Sequence, residues 1–350
     1  MAYASELLAF PGAQELPGPS LIDAEGVPWH YGNPLGEQRI TEPVLVDRSH
    51  RAVLAVSGPD AAAFLNNLLS QKLDGVADGF AASSLDLDAQ GRILHHADVA
   101  VAGGVYYLDL PSYQREPFAD FLRKMVFWSD VSIEEPDLGV LSILGPVGPL
   151  QLGQAFTRRL AGWGGVGRVD IAVPRAQILE VAGEFPLAGL MAFTAYRVAA
   201  GEPEIRADLD EKSIPHEAPY LINRGEEIRA VHLAKGCYRG QETVARVENL
   251  GRSPRLLVKL QLDGSAPTEP EIGAEITAGG RKVGRLGTVV HDADEGPVAL
   301  ALVKRSALEA PLDIGGTAAS VDPSSLPVDE GEHAGRRAVD RLRRGPESDA

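Results

Sequence analysis

The amino-acid sequence predicts an α+β protein that ends in a small β-barrel or sandwich, and three observations carry that prediction. Residues 53–133 alternate in the order β-α-β-β-β-α-β, the pattern of a sheet layer with helices on one side. A second alternation of the same kind starts at Val140. Past Ser253 the helical pattern stops, and short apolar runs between Gly and Asp turns replace it.

The first unit opens on Val53-Leu54-Ala55-Val56, a strand. Ser57-Gly58-Pro59-Asp60 is a turn, with Asp60 placed to cap the helix that follows. That helix, over 61–70, puts Phe64, Leu65, Leu68 and Leu69 on one face. Strands are expected over 81–87, 92–101 and 105–110, with Asp88-Ala89-Gln90-Gly91 and Gly103-Gly104 as hairpin turns. A helix over 112–127 and a short strand over 131–133 complete the unit. The second unit is expected to run through a strand at 140–144, a helix over 148–160, a strand over 177–181 and a helix over 187–199. Four strands are expected in the last unit, at 256–262, 275–278, 281–290 and 298–303. From Asp322 to Ala350 large apolar residues are few, so no fixed fold is expected beyond a short surface helix over 334–344.

A chain of 350 residues suggests two or three domains. Its formal net charge of −16 repels phosphate backbones, so no direct nucleic-acid partner is expected. Cys237 is the single cysteine, which excludes an internal disulfide and an all-cysteine zinc or iron–sulfur site. One thiol fits a reducing compartment. No apolar run approaches the roughly 20 residues that span a bilayer. Met1 to Pro19 lacks the basic start and apolar core of a signal peptide. The expectation is a cytoplasmic protein with no membrane partner.

Three motifs invite a chemical reading. Gly162-Trp163-Gly164-Gly165-Val166-Gly167 fits the spacing of a dinucleotide loop. Such a loop needs a strand before it and a helix after it, and the flanking pattern is the reverse, so it reads as an ordinary loop. His95-His96 falls in a strand, where neighbours point to opposite faces, and the other histidines show no ligand spacing; no metal site is expected. Lys235-Gly236-Cys237-Tyr238-Arg239-Gly240-Gln241-Glu242 is richer. Two glycines allow the loop to approach a ligand closely. A cation at 235 or 239 favours the thiolate, the nucleophilic form. An inert buried cysteine beside a helix start is the equally weighted alternative.

This last segment, with Val244-Ala245-Arg246 after it, resembles the signature of the YgfZ family, folate-binding relatives of the glycine-cleavage T-protein. Weaker resemblances follow in the family's order: Ser57-Gly58-Pro59-Asp60 with Phe64-Leu65, Gln90-Gly91-Arg92, the turn from Tyr196 to Pro203, Ile214-Pro215-His216-Glu217, and Val283-Gly284-Arg285-Leu286-Gly287. Together they span roughly residues 30–305. The resemblance implies two α+β domains and a C-terminal β-barrel around a central channel. Residues 20–50 plus 139–252 would form a discontinuous folate-binding domain. Residues 51–138 would be an inserted domain, 253–320 the barrel and 321–350 a disordered tail.

It further implies that tetrahydrofolate or a derivative is bound, with Arg197, Lys235, Tyr238, Gln241, Glu242 and Arg246 as contacts. Cys237 would be the reactive group, attacking a one-carbon unit or holding a transient cluster or persulfide. The implied role is support of iron–sulfur cluster assembly or repair and, through it, tRNA modification, with iron–sulfur proteins as partners. Two readings compete. One is an aminomethyltransferase-like enzyme that moves a one-carbon unit to tetrahydrofolate; the other is a scaffold that folate only regulates. The enzyme reading is weakened because T-proteins carry a catalytic Asp in the hairpin where this chain has His95-His96. Ala199 also stands where relatives place an acid, with Glu202 or Glu217 as substitutes.

Overall fold

A computed structural model describes residues 3–160, 163, 165–225, 227–266 and 268–327, and of Leu250 the backbone alone. After β1 (Val44–Asp47) the chain leaves to build a separate sheet. It does so through β2 (Ala52–Ser57), α1 (Ala61–Leu68), β3 (Ala81–Leu87), β4 (Ile93–Ala102), β5 (Val105–Leu110), α2 (Arg115–Met125) and β6 (Ser132–Glu134). The order of elements is the expected one. The strands pair antiparallel as β3-β4-β5-β2-β6. One face packs Leu54, Val99 and Leu108 against Phe64 and Leu65 of α1 and Phe118 of α2. Asp60 occupies the N-cap position, but its carboxylate accepts the Asp130 N–H at 2.8 Å instead of a helix N–H.

The chain returns with β7 (Leu138–Leu144), β8 (Phe156–Arg159), β9 (Arg168–Pro174), α3 (Ile178–Ala182), β10 (Leu187–Ala188) and α4 (Leu190–Ala199). Their sheet runs β10-β1-β7-β9-β8. Two expectations fail here. Residues 148–160 contain a strand where a helix is expected, because Phe156 and Arg158 bury at alternate positions and Gly148, Pro149 and Gly153 interrupt any helix. Residues 177–181 are helical where a strand is expected. Ile178, Val181 and Ala182 bury at helical spacing, and the sheet position is already filled by β9. Trp163 and Val166 of the glycine motif form an antiparallel bridge leading into β9, so no helix follows the loop; Gly162 and Gly164 lie outside the described residues.

Two further helices, α5 (Ile205–Asp208) and α6 (Gln241–Leu250), precede the last unit. That unit is a closed barrel of β11 (Arg255–Leu262), β12 (Glu275–Ala278), β13 (Arg281–Asp292), β14 (Gly296–Lys304), β15 (Leu312–Ile314) and β16 (Thr317–Val321). The last two strands are too short to stand out in the sequence, yet β16 pairs with β11 and closes the barrel. Order continues past the expected tail boundary. Asp322 caps a short turn over Pro323–Ser325 and meets Lys259 at 2.8 Å. The helix expected over 334–344 lies outside the described residues. Among the described residues no helix is long and apolar enough to cross a membrane.

The two open sheets face each other through Val53 and Ala100 on one side and Val140, Phe156 and Ala172 on the other. Between them lies a layer of buried charge. Arg158, with no exposed surface, donates to Asp109 at 2.6 Å and Asp170 at 2.8 Å and sits 3.6 Å from Asp98. Arg168 joins Asp170 to Glu202, and Arg51 holds Asp109 at 2.6 Å. Asp98, Asp109 and Asp170 lie close enough to share a metal ion, but these arginines already balance them.

Arg158→Met, which keeps length and removes charge, should cost about 3–5 kcal/mol in urea unfolding near neutral pH, since it strands buried carboxylates. A loss below about 1 kcal/mol would show that the network is not a stabilising element. The intact protein should also show an acid limb. Burial alone would raise Asp98 and Asp170, but the arginines outweigh it and hold both below the usual carboxylate range. Their stabilising contribution is complete above the unfolded value of about 4 and is lost as pH falls below it. Equal stability at about pH 6 and about pH 3 would contradict this.

Candidate functional site

The signature segment leads into α6 and is pressed against the β3–β4 hairpin turn. Gly240 has φ +80, and a Cβ there would come within 2.6 Å of the Asp88 carbonyl oxygen. Gly91, across the contact, has φ +77 and would meet the Thr243 side chain at 2.6 Å. Only glycine fits either position. Arg239 meets Asp86 at 2.5 Å and lies 4.6 Å over the Phe121 ring, while Asp86 also holds His95 at 2.8 Å. Lys235 donates to the carbonyls of Asn66 and Leu69 at the end of α1 and stands 4.8 Å from the Tyr238 ring centre. Burial pushes the Lys235 ammonium down to about 8 and the buried Tyr238 hydroxyl up to about 12.

The remaining signature residues face outward or serve the backbone. Gln241 accepts the Tyr238 N–H at 3.3 Å. Glu242 and Arg246 form an exposed pair at 2.7 Å, one helical turn apart. Cys237 is exposed, which removes the buried-cysteine alternative. Lys235 and Arg239 are both committed to partners other than the thiol.

A separate small cleft, of about 50 Å³ and open to solvent on one side, lies where β4, α4 and the turn after α4 meet the N-terminal segment. Of the six folate contacts implied by the resemblance, Arg197 alone lines it. Its guanidinium is spent on structure: it donates to Asp208 at 2.6 Å, to the Glu202 carbonyl at 2.7 Å and to Thr288 at 2.6 Å, tying α4 to α5 and to the barrel. Glu202 lines the cavity but accepts from Trp163, Tyr220 and Arg168. Glu217 lies elsewhere, bound to Arg255 at 2.7 Å. Ala199 is exposed.

Sequence reading missed most of the cavity wall. His96 lines it, and so does Asp98, two residues along the same face of β4. Their spacing was the available signal. Asp23 and His50 come from the N-terminal segment and from the link between β1 and β2. Glu204 has its carboxyl raised to about 7, by burial first and by Asp23 and Asp208 beside it, against the pull of Arg197. It accepts the Asp23 N–H at 2.7 Å.

Residues 255–327 match the model of the CAF17 C-terminal beta-barrel domain. A putative chloroplastic transferase of Arabidopsis thaliana is 26% identical over 69% of this chain, which covers 61% of that protein's length. The mouse mitochondrial iron–sulfur cluster assembly factor IBA57 is 29% identical over 75% of this chain and 78% of its own. The tRNA-modifying protein YgfZ of Colwellia psychrerythraea is 22% identical over 74% of this chain and 84% of its own. The glycine-cleavage aminomethyltransferase T of Bartonella henselae superposes with a TM-score of 0.75 at 20% identity, over 92% of this chain and 96% of that one. The chain has the T-protein fold, ends in a CAF17-type barrel, and is similar in sequence to YgfZ and IBA57 proteins.

Proposed function

We propose that this chain is a tetrahydrofolate-binding factor that supports iron–sulfur cluster assembly or repair and, through iron–sulfur enzymes, tRNA modification. One observation carries the folate part: a small polar cleft, partly open to solvent, at the junction of β4, α4 and the turn after it, in a T-protein fold. Its walls offer carboxylates and imidazoles for the N–H groups of a reduced pterin. When bound, the folate supplies a one-carbon carrier, and the chain's own residues hold and orient it. The names of the IBA57 and YgfZ relatives support the iron–sulfur and tRNA part. The proposal includes a cytoplasmic location, iron–sulfur proteins as partners, and the domain division 20–50 plus 139–252, 51–138 and 253–320. The three separate sheets support that division.

The aminomethyltransferase reading requires a carboxylate free to act on the folate nitrogen. The hairpin strand offers His96 in the cavity, while Asp98 beside it is claimed by Arg158 and Arg168 at 3.6 Å each. That arrangement favours binding over glycine cleavage.

Two outcomes test the proposal. Tetrahydrofolate or its 5-formyl form, supplied up to about 1 mM, should give a calorimetric signal and raise the unfolding temperature, because a ligand of the native state must stabilise it. No heat and no thermal shift would refute folate binding. Cys237, being exposed, should react fully with iodoacetamide in the folded protein. Cys237→Ala should change stability by less than about 0.5 kcal/mol, as surface substitutions do, and still fail to complement a strain lacking the protein. Full complementation would remove the thiol from the mechanism and leave the scaffold reading.

A further inference from the structure

The cavity wall carries hydrogen-bonding capacity that nothing in the fold uses. His50 Nδ1 and His96 Nε2 are buried and without hydrogen-bond partners, and both residues line the cavity. Buried polar atoms of this kind call for a ligand or water. The arginines of the same wall are committed. Arg48 donates to Ser142 and stacks on Phe193, Arg51 serves Asp109, and Arg197 serves Asp208. What the wall has left to offer is therefore carboxylate and imidazole, not cation.

Two of these groups act together. His50 is 6% exposed and Asp23 is 9% exposed. His50 Nε2 lies 3.3 Å from Asp23 Oδ2, while Ser112 Oγ fixes the other carboxylate oxygen from 3.2 Å. A neutral imidazole with its Nε2 lone pair against a carboxylate is repelled, so the proton resides on Nε2 and faces Asp23. Nδ1 is then left as a bare acceptor. We propose that Asp23 and His50 form a tautomer-fixed acceptor pair that selects a ligand presenting ring N–H groups to this cavity. The inference rests on the reduced-folate reading and sharpens it. Reduction of the pterin ring adds N–H donors that the oxidised ring lacks, so the pair makes the site prefer tetrahydrofolate over folic acid. His50 is the specificity-determining residue, and Asp23 is a positioning residue that acts through it.

Asp23→Asn tests the pair with little change of shape. The amide can offer an N–H to Nε2, which moves the ring proton to Nδ1 and turns the acceptor into a donor. Nitrogen NMR of labelled histidine in the free protein should show the Nε2–H tautomer in the wild type and the Nδ1–H tautomer in the variant. Affinity for tetrahydrofolate should fall about tenfold in Asp23→Asn and in His50→Phe, each confirmed folded by circular dichroism, while folic acid changes less than about threefold. A wild-type Nδ1–H tautomer would overturn the pair. So would a wild-type protein whose preference for tetrahydrofolate survives both substitutions, and in that case folate binding itself would stand. If the wild type binds neither folate, the folate reading falls and the selectivity falls with it.

Discussion

The buried contact of Arg158 with Asp109 and Asp170 is the constraint on which the arrangement depends. It joins β8 and β9 of one sheet to β5 of the other, across a face where apolar packing is limited to a few residues such as Val53, Ala100 and Phe156. An apolar layer would hold two sheets together at lower desolvation cost. Charge imposes something apolar contact does not, because a carboxylate buried without its arginine is costly and a shifted register breaks several pairs at once. The same layer forms the back of the cavity, since Arg48, Arg51 and Asp98 belong to both. The scaffold and the site are thus one electrostatic unit, and the cavity inherits a wall whose cations are already bound.

That outcome changes how the signature segment is understood. Its most distinctive residues are fasteners. Lys235 binds the carbonyl end of α1, where a cation also meets the helix dipole favourably. Arg239 reaches Asp86, Tyr238 is buried, and Gly240 lets the backbone touch the hairpin turn. Cys237 is the member left facing solvent. A thiol on a loop fixed at both sides is held in place without being shielded, which suits a group that must meet another molecule. The two neighbouring cations are spent, so activation of the thiol has to come from that partner or ligand.

Local pattern made the inserted sheet legible, since period-2 strands and period-3.6 helices there are long enough to be distinguished. It failed over 148–160 and 177–181, where segments of four or five residues carry too few turns of either period. The signature was legible as a unit, but its role was not, because the partners of Lys235 and Arg239 lie more than a hundred residues away in the chain. The cavity was the least legible part. Asp23 meets Ser112 and Glu204, and His50 meets Asp23, through contacts that no spacing along the sequence encodes. Asp98 was within reach, since any residue two places from His96 shares its strand face.

The cavity's carboxylates differ in what they are free to do. Asp98 is balanced by Arg158 and Arg168 and stays ionised. Glu202 is held below the usual range, against the effect of burial, by Arg168 and the donors Tyr220 and Trp163. Burial would also raise Asp23, but His50 and Arg51 bring it down to about 2. Glu204 goes the other way, because burial and the carboxylates of Asp23 and Asp208 outweigh Arg197 and leave it titrating near 7. Among the described cavity residues it is the carboxyl that can change protonation at neutral pH, which makes it a candidate for proton transfer there. Glu204 lies on the turn after α4, where it is bonded to the backbone of the same Asp23 that lies against His50.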